Sequence, residues 1–167
     1  IIEKANIKLI VICEECLVDG TIDKNLLYEI AKYECIYVTE KIFTQISDVK
    51  APQGILAIIE KGCKQGQIDY SEDIIIALDG IQDPGNLGTI LRTVDSANLK
   101  QIIVSADTAD CYNPKVVRST MGAIFRVNII ETAELETTLK EIKKHKFDVI
   151  VTSLDTEKSL SLIHISE

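Results

Sequence analysis

From residue 74 onward, continuous apolar runs alternate with runs of helical period, and few folds accommodate that order. The apolar runs are 74–78, 101–105, 125–130 and 147–152. The helical runs between them are 87–97, 114–122 and 133–146. Strands without polar alternation are buried on both faces, so this half predicts a parallel sheet with helices on either side. The last helical run has Glu134 and Glu136 near its start and Lys143, Lys144 and Lys146 near its end, which suits a helix dipole.

The first sixty residues read as a smaller α/β module. Strands are expected at 7–13, 35–38 and 54–60, and helices at 21–33 and 40–46. Residues 61–72 hold two glycines and little apolar periodicity, which marks a linker. The domain reading is therefore 1–60, a linker at 61–72, and a second domain over 73–159.

Composition narrows the function. With 46% apolar residues the chain can bury a core, and no window is long and apolar enough for a membrane span. The net charge of −8 and only three arginines, Arg92, Arg118 and Arg126, argue against a broad nucleic-acid-coating surface. A grip on one nucleotide through a few placed cations stays open, and it would depend less on salt. Five cysteines without a signal-peptide pattern fit a reducing, cytoplasmic setting. Cys13-Glu-Glu-Cys16 has metal-like spacing, but it lacks a second pair or a nearby His, so no metal site is expected. Cys13 is read instead as the end of a buried strand.

Two stretches could carry chemistry. After the 74–78 strand comes a tight Asp83-Pro84-Gly85 turn, and a helix is expected to open at Asn86 as its N-cap. Leu87, Ile90, Leu91 and Val94 make its packing face, while Gly88, Arg92 and Asp95 form another stripe, expected to turn away from the sheet. This is neither G-x-G-x-x-G nor a P-loop. In the second stretch Asn113 caps and Pro114 opens a short helix that carries Lys115, Arg118, Ser119 and Thr120, a possible phosphate grip. From spacing alone the first stretch reads foremost as a plain helix, with Asn86 capping, Gly88 allowing close packing and Arg92 solvated or ion-paired. The second reads equally as an ordinary capped surface helix. His145, among lysines, reads as a surface residue, and no Ser-His-Asp, Cys-His or paired-carboxylate arrangement stands out.

Together the two stretches resemble the SpoU/TrmH family of RNA 2′-O-ribose methyltransferases, within the SPOUT superfamily. Asn86-Leu87-Gly88-Thr89-Ile90-Leu91-Arg92 fits that family's N-x-G-x-x-x-R motif, preceded by Asp-Pro-Gly. Tyr112-Asn-Pro-Lys-Val-Val-Arg-Ser-Thr-Met-Gly-Ala-Ile-Phe125 looks like its next block. The first sixty residues, with Pro52-Gln53-Gly54-Ile55-Leu56-Ala57, look like the L30e-like RNA-binding module that precedes many such enzymes. The resemblance implies methyl transfer from S-adenosylmethionine to a ribose 2′-hydroxyl of RNA, with 23S ribosomal RNA favoured over transfer RNA. It also implies a homodimer. Arg92 and Asn86 would be catalytic. Gly88, Lys115, Arg118 and Ser119 would contact RNA, and Thr152, Ser153 and Leu154 would touch the methyl donor.

The departures from the family are part of the reading. Its Gly/Glu-rich second motif and its Ser-Leu-Asn third motif, which tie the trefoil knot and bind most of the donor, do not occur. Leu160-Ser-Leu-Ile-His164-Ile-Ser-Glu167 resembles a translated sequencing-library adaptor and is read as a non-native tail. The chain is thus expected to be a truncated, inactive piece of a methyltransferase. An RNA-binding protein without catalysis is the alternative. A flavodoxin-like nucleotide binder fits less well, for want of a phosphate loop.

Overall fold

The computed structural model describes residues 5–61 and 67–152, which form two three-stranded sheets. In the first sheet β1 (Ile7–Cys13) lies between β2 (Cys35–Val38), which it pairs in parallel, and β3 (Ile55–Ile59), which it pairs antiparallel. Neighbours on both edges and helices on both faces explain why β1 is apolar from Leu9 to Cys13. Alternate side chains take opposite faces. Ile10 and Ile12 pack with Ile22 and Ile30, while Val11 and Cys13 pack with Phe43.

The helices of this half are α1 (Glu14–Val18), α2 (Lys24–Ile30) and α3 (Glu40–Ile46). α1 was not anticipated. The helix expected over 21–33 is shorter because Asp23 caps it, accepting from the amides of Asn25 and Leu26 at 2.7 and 3.2 Å. An N-cap lies in extended backbone, so helix cannot begin earlier.

The second sheet is parallel throughout. β5 (Gln101–Ser105) lies between β4 (Ile76–Leu78) and β6 (Asn128–Thr132), and all five β5 residues are buried. Ile102 and Val104 face α4 (Pro84–Ser96) and α5 (Pro114–Ser119), packing with Leu87, Leu91, Val94 and Val116. Ile103 faces the other way, against Ile130 and Ile142 of α6 (Leu135–Lys144). Each of these fully buried aliphatic side chains contributes about 1.5–3 kcal/mol. The α/β class and the parallel sheet with helices on both faces are as the alternation of apolar runs implies.

Two expectations fail here. The strand placed at 125–130 begins only at Asn128, because Met121 and Gly122 have φ of 51° and 86° and a 3-10 turn follows at Ala123–Phe125. That left-handed step halts α5 and delays extended backbone. The run 147–152 forms no strand among the described residues. Phe147 joins the Ile103 cluster, but Ile150 and Val151 are 88% and 76% exposed. An apolar run becomes a strand only when a ladder partner satisfies its backbone.

Part of the expected linker is firmly held. Gln101, 1% exposed, donates from Nε2 to the Asp69 carbonyl at 2.6 Å and accepts the Asp69 amide at 2.9 Å. Residues 62–66, 153–159 and the expected tail at 160–167 lie outside the described residues.

Candidate functional site

The site is built on the loop between β4 and α4. Gly80, at φ 61°, gives its amide to the Ser105 hydroxyl at 2.9 Å, and Ser105 in turn donates to Asp107 at 2.5 Å. The Ala109 amide donates to the Ile81 carbonyl at 2.9 Å. The loops after β4 and β5 are thereby tied together at the carboxyl ends of the strands, where open α/β sheets place their ligands.

α4 opens three residues earlier than expected. Asp83, not Asn86, is its N-cap, and its Oδ1 accepts the Asn86 amide at 2.7 Å. Pro84 follows at the first helical position, where its missing N–H costs nothing. Asn86 thus sits in the first turn with its side chain exposed. An Asp before Pro-Gly is the signal that could have located this cap.

Gly88 lies at a close helix contact, as the plain reading of this helix has it. It is buried, and a Cβ there would stand 1.7 Å from Ser119 Oγ, 2.7 Å from Ser119 Cβ and 3.1 Å from the Val116 carbonyl. Gly88 is a point where α4 and α5 touch. Residues four apart share a helix face, so Arg92 is carried one turn beyond this contact.

The three arginines divide by role. Arg126 donates to both Asp95 carboxylate oxygens, through Nε at 3.0 Å to each and Nη2 at 2.6 Å to Oδ2, and this pairing raises its pKa further. Arg92 and Arg118 are exposed and make no ion pair among the described residues. Lys115 likewise has none.

On α5, Asn113 caps as expected, accepting the Lys115 amide at 2.9 Å. The expected four-residue grip is reduced to two residues. Ser119 Oγ donates to the Val116 carbonyl and Thr120 Oγ1 to the Val117 carbonyl, each at 2.8 Å. Short hydroxyl side chains bond back to their own helix when packing turns them inward. Lys115 and Arg118 alone face solvent there. Of the residues assigned to a methyl donor, Thr152 is exposed, and Ser153 and Leu154 lie outside the described residues.

A feature without a sequence signal is a cleft of about 740 Å³ between the two sheets' outer elements. α3 and β3 form one wall, with Phe43 and Ile55, and α5 and its flanks form the other, with Tyr112, Arg118 and Phe125. At its rim Lys61 Nζ lies 4.7 Å over the Tyr112 ring and 3.8 Å from Asp110. Nearby Cys111 is held as a thiol, its pKa pushed up to about 11 mainly by burial, with the Glu131 and Asp110 charges adding to it.

The sequence model of the SpoU rRNA Methylase family matches residues 73–167. The 23S rRNA (guanosine(2553)-2′-O)-methyltransferase RlmP of Bacillus subtilis is 30% identical over 121 residues, covering 72% of this chain and 47% of that protein. A TrmH-family protein of Porphyromonas gingivalis superimposes with a TM-score of 0.69 at 27% identity, over 87% of this chain and 55% of that one. The AdoMet-bound rRNA methyltransferase of Sinorhizobium meliloti does so with a TM-score of 0.65 at 28% identity, over 84% and 51%. The chain thus spans about half the length of these relatives. The alternating sheet, the N-x-G-x-x-x-R helix and the match over residues 73–167 place this chain in the SpoU rRNA methylase family.

Proposed function

We propose that the whole protein transfers a methyl group from S-adenosylmethionine to a ribose 2′-hydroxyl of ribosomal RNA, with 23S ribosomal RNA as substrate. The observation that carries this is the exposed Arg92, held one turn beyond the Gly88–Ser119 contact and without a carboxylate partner among the described residues. A guanidinium with no internal counter-charge is poised for an external anion, and its fork matches a phosphate bidentately. The substrate class follows the B. subtilis and S. meliloti relatives, both rRNA methyltransferases.

A ribose hydroxyl is a weak nucleophile and must be aligned. Arg92 clamps the phosphate beside the target ribose, which fixes the hydroxyl and stabilises the negative charge it gains on losing its proton. It does not take that proton, because a guanidinium stays charged and has no free lone pair to offer as a base. Asn86, a turn and a half earlier on α4, orients the ribose edge or the guanidinium. Lys115 and Arg118 hold neighbouring phosphates. Gly88 and Ser119 act by letting the two helices meet.

S-adenosylmethionine supplies the electrophilic methyl group when bound. The described residues do not form its site by themselves. At the ends of β4 and β5 the Gly80 amide, Ser105 and Asp107 are engaged with one another, and the large cleft lies elsewhere. Thr152, Ser153 and Leu154 remain our assignment for the donor side. The first sheet serves as the RNA-binding module, and the protein works in the cytoplasm as a homodimer. The free thiols Cys13, Cys16, Cys35 and Cys111 fit a reducing compartment.

The test is Arg92→Ala in the whole protein. Methyl transfer should fall by about 10²–10³-fold, the cost of removing one preorganised charge-stabilising donor. Donor binding by calorimetry should be unchanged. Transfer near the wild-type rate would show that the assignment is wrong.

A further inference from the structure

The Cys13-Glu-Glu-Cys16 pair takes no part in the RNA-facing site. Cys13 closes β1 as the N-cap of α1, and Cys16 is the third residue of that helix. N-cap and third-residue side chains approach one another, as they do in a capping box. Cys13 is the extended N-cap and Cys16 the third helical residue, two residues of sequence between them, and a disulfide needs their Cβ atoms about 3.5–4.5 Å apart. The Cys13 side chain makes no cap bond that would resist that approach.

Both residues rest on Gly54. The Cys13 amide donates to the Gly54 carbonyl at 2.9 Å, and a Cβ on Gly54 would lie 2.5 Å from Cys16 Cβ and 2.9 Å from its Sγ. The Cys16 thiol titrates above its usual range, first because it shares a hydrogen bond with the Cys13 thiol. The other described cysteines are occupied or enclosed. Cys35 Sγ donates to the Tyr33 and Ile30 carbonyls, and Cys111 is 1% exposed in the core.

We propose that Cys13 and Cys16 are a redox-active dithiol that forms a reversible disulfide by exchange with a low-molecular-weight disulfide of the glutathione class. Cys16, the more exposed of the two, attacks first, through the small thiolate fraction its raised pKa leaves. The exchange is therefore slow at neutral pH and faster at higher pH. Its thiolate sulfur bonds to one sulfur of the oxidant, whose S–S bond breaks and releases one thiolate. Cys13 then gives up its proton and attacks Cys16 Sγ, expelling the second thiol. The protein loses two hydrogens, and the oxidant becomes two thiols. The reaction reaches beyond the pair. Cys13 Sγ donates to Glu15 Oε2 at 3.5 Å, and the same oxygen accepts the Glu40 amide, the first of α3, at 2.8 Å. Oxidation removes that thiol donor from the Glu15 carboxylate that also holds the start of α3.

The experiment equilibrates the 167-residue chain in glutathione buffers of rising oxidised fraction, then unfolds it in excess alkylating reagent for peptide mass spectrometry. At the oxidising end, the peptide with Cys13 and Cys16 should escape alkylation at both positions together and weigh two hydrogens less. Dithiothreitol should restore both sites. Cys16→Ser, with its fold checked by circular dichroism, should leave Cys13 fully alkylated throughout. Full alkylation of both cysteines at every ratio overturns the proposal. So does Cys16 ending in a stable glutathione adduct, a link from either cysteine to another, or protection of Cys13 that persists in Cys16→Ser.

Discussion

Gly88→Ala should push α4 away from α5. The added methyl would stand 1.7 Å from Ser119 Oγ, 2.7 Å from Ser119 Cβ and 3.1 Å from the Val116 carbonyl. The hydroxyl can rotate away at the cost of its 2.8 Å bond to Val116. The Cβ and the carbonyl belong to the α5 frame and cannot. Overpacking costs about 1–3 kcal/mol, and contacts this short put it at about 2–3 kcal/mol. Alanine's better helix propensity returns up to about 1 kcal/mol, leaving a net loss of about 1–2 kcal/mol. At about 2–4 °C per kcal/mol for a chain of this size, the unfolding midpoint drops by roughly 2–8 °C. Ser119→Gly removes both Ser119 clashes, so Gly88→Ala should cost less in that background. A double-mutant cycle by urea denaturation measures the coupling, with at least about 0.5 kcal/mol expected between the two sites. Additive effects, or a Gly88→Ala variant as stable as the parent, would refute the close approach. So would an unchanged midpoint together with unchanged RNA methylation in the whole protein.

Other consequences are as direct. Gln101→Leu should destabilise by about 1–3 kcal/mol by urea denaturation, because it strands the Asp69 amide and carbonyl. Glu141 is held below its usual 4.5, first by the Lys144 hydrogen bond, and Asp69 below its usual 3.8, first by the Ser71 hydroxyl. A lowered folded-state pKa contributes stability above the unfolded value and loses it as pH falls through the folded one. The thermal midpoint should therefore decline below about pH 4.5, and Glu141→Gln should flatten part of that decline.

Much of this could be read in the chain because burial leaves compositional traces. β1, β2 and β5 appear at the expected residues, and each is built on at least three consecutive apolar residues. The N-x-G-x-x-x-R spacing identifies the helix that carries Arg92. What lies opposite it on another element leaves no such trace. A glycine on a helix is readable as a close-packing point, but nothing in the local pattern names Ser119 as what Gly88 packs against. The hydroxyls of Ser119 and Thr120 look like ligand donors until the structure shows them bonded to their own helix. The run 147–152 is apolar enough to be a strand, and only the absence of a ladder partner among the described residues shows otherwise. The cleft needs two distant segments to meet, which no local pattern encodes.

The cap on α4 decides what kind of anion this face can take. Helix amino termini often serve as ready-made phosphate cradles. Here the position is already filled by a carboxylate of the chain itself, with Asp83 Oδ1 on the Asn86 amide. A phosphate approaching end-on would meet like charge. Arg92 stands nine residues further along, about 13 Å up the axis at 1.5 Å per residue. An anion bound there lies along the flank of the helix, not at its tip. Such a geometry disfavours a small nucleotide seated by its terminal phosphate and suits a long polyanion laid across the side of the fold.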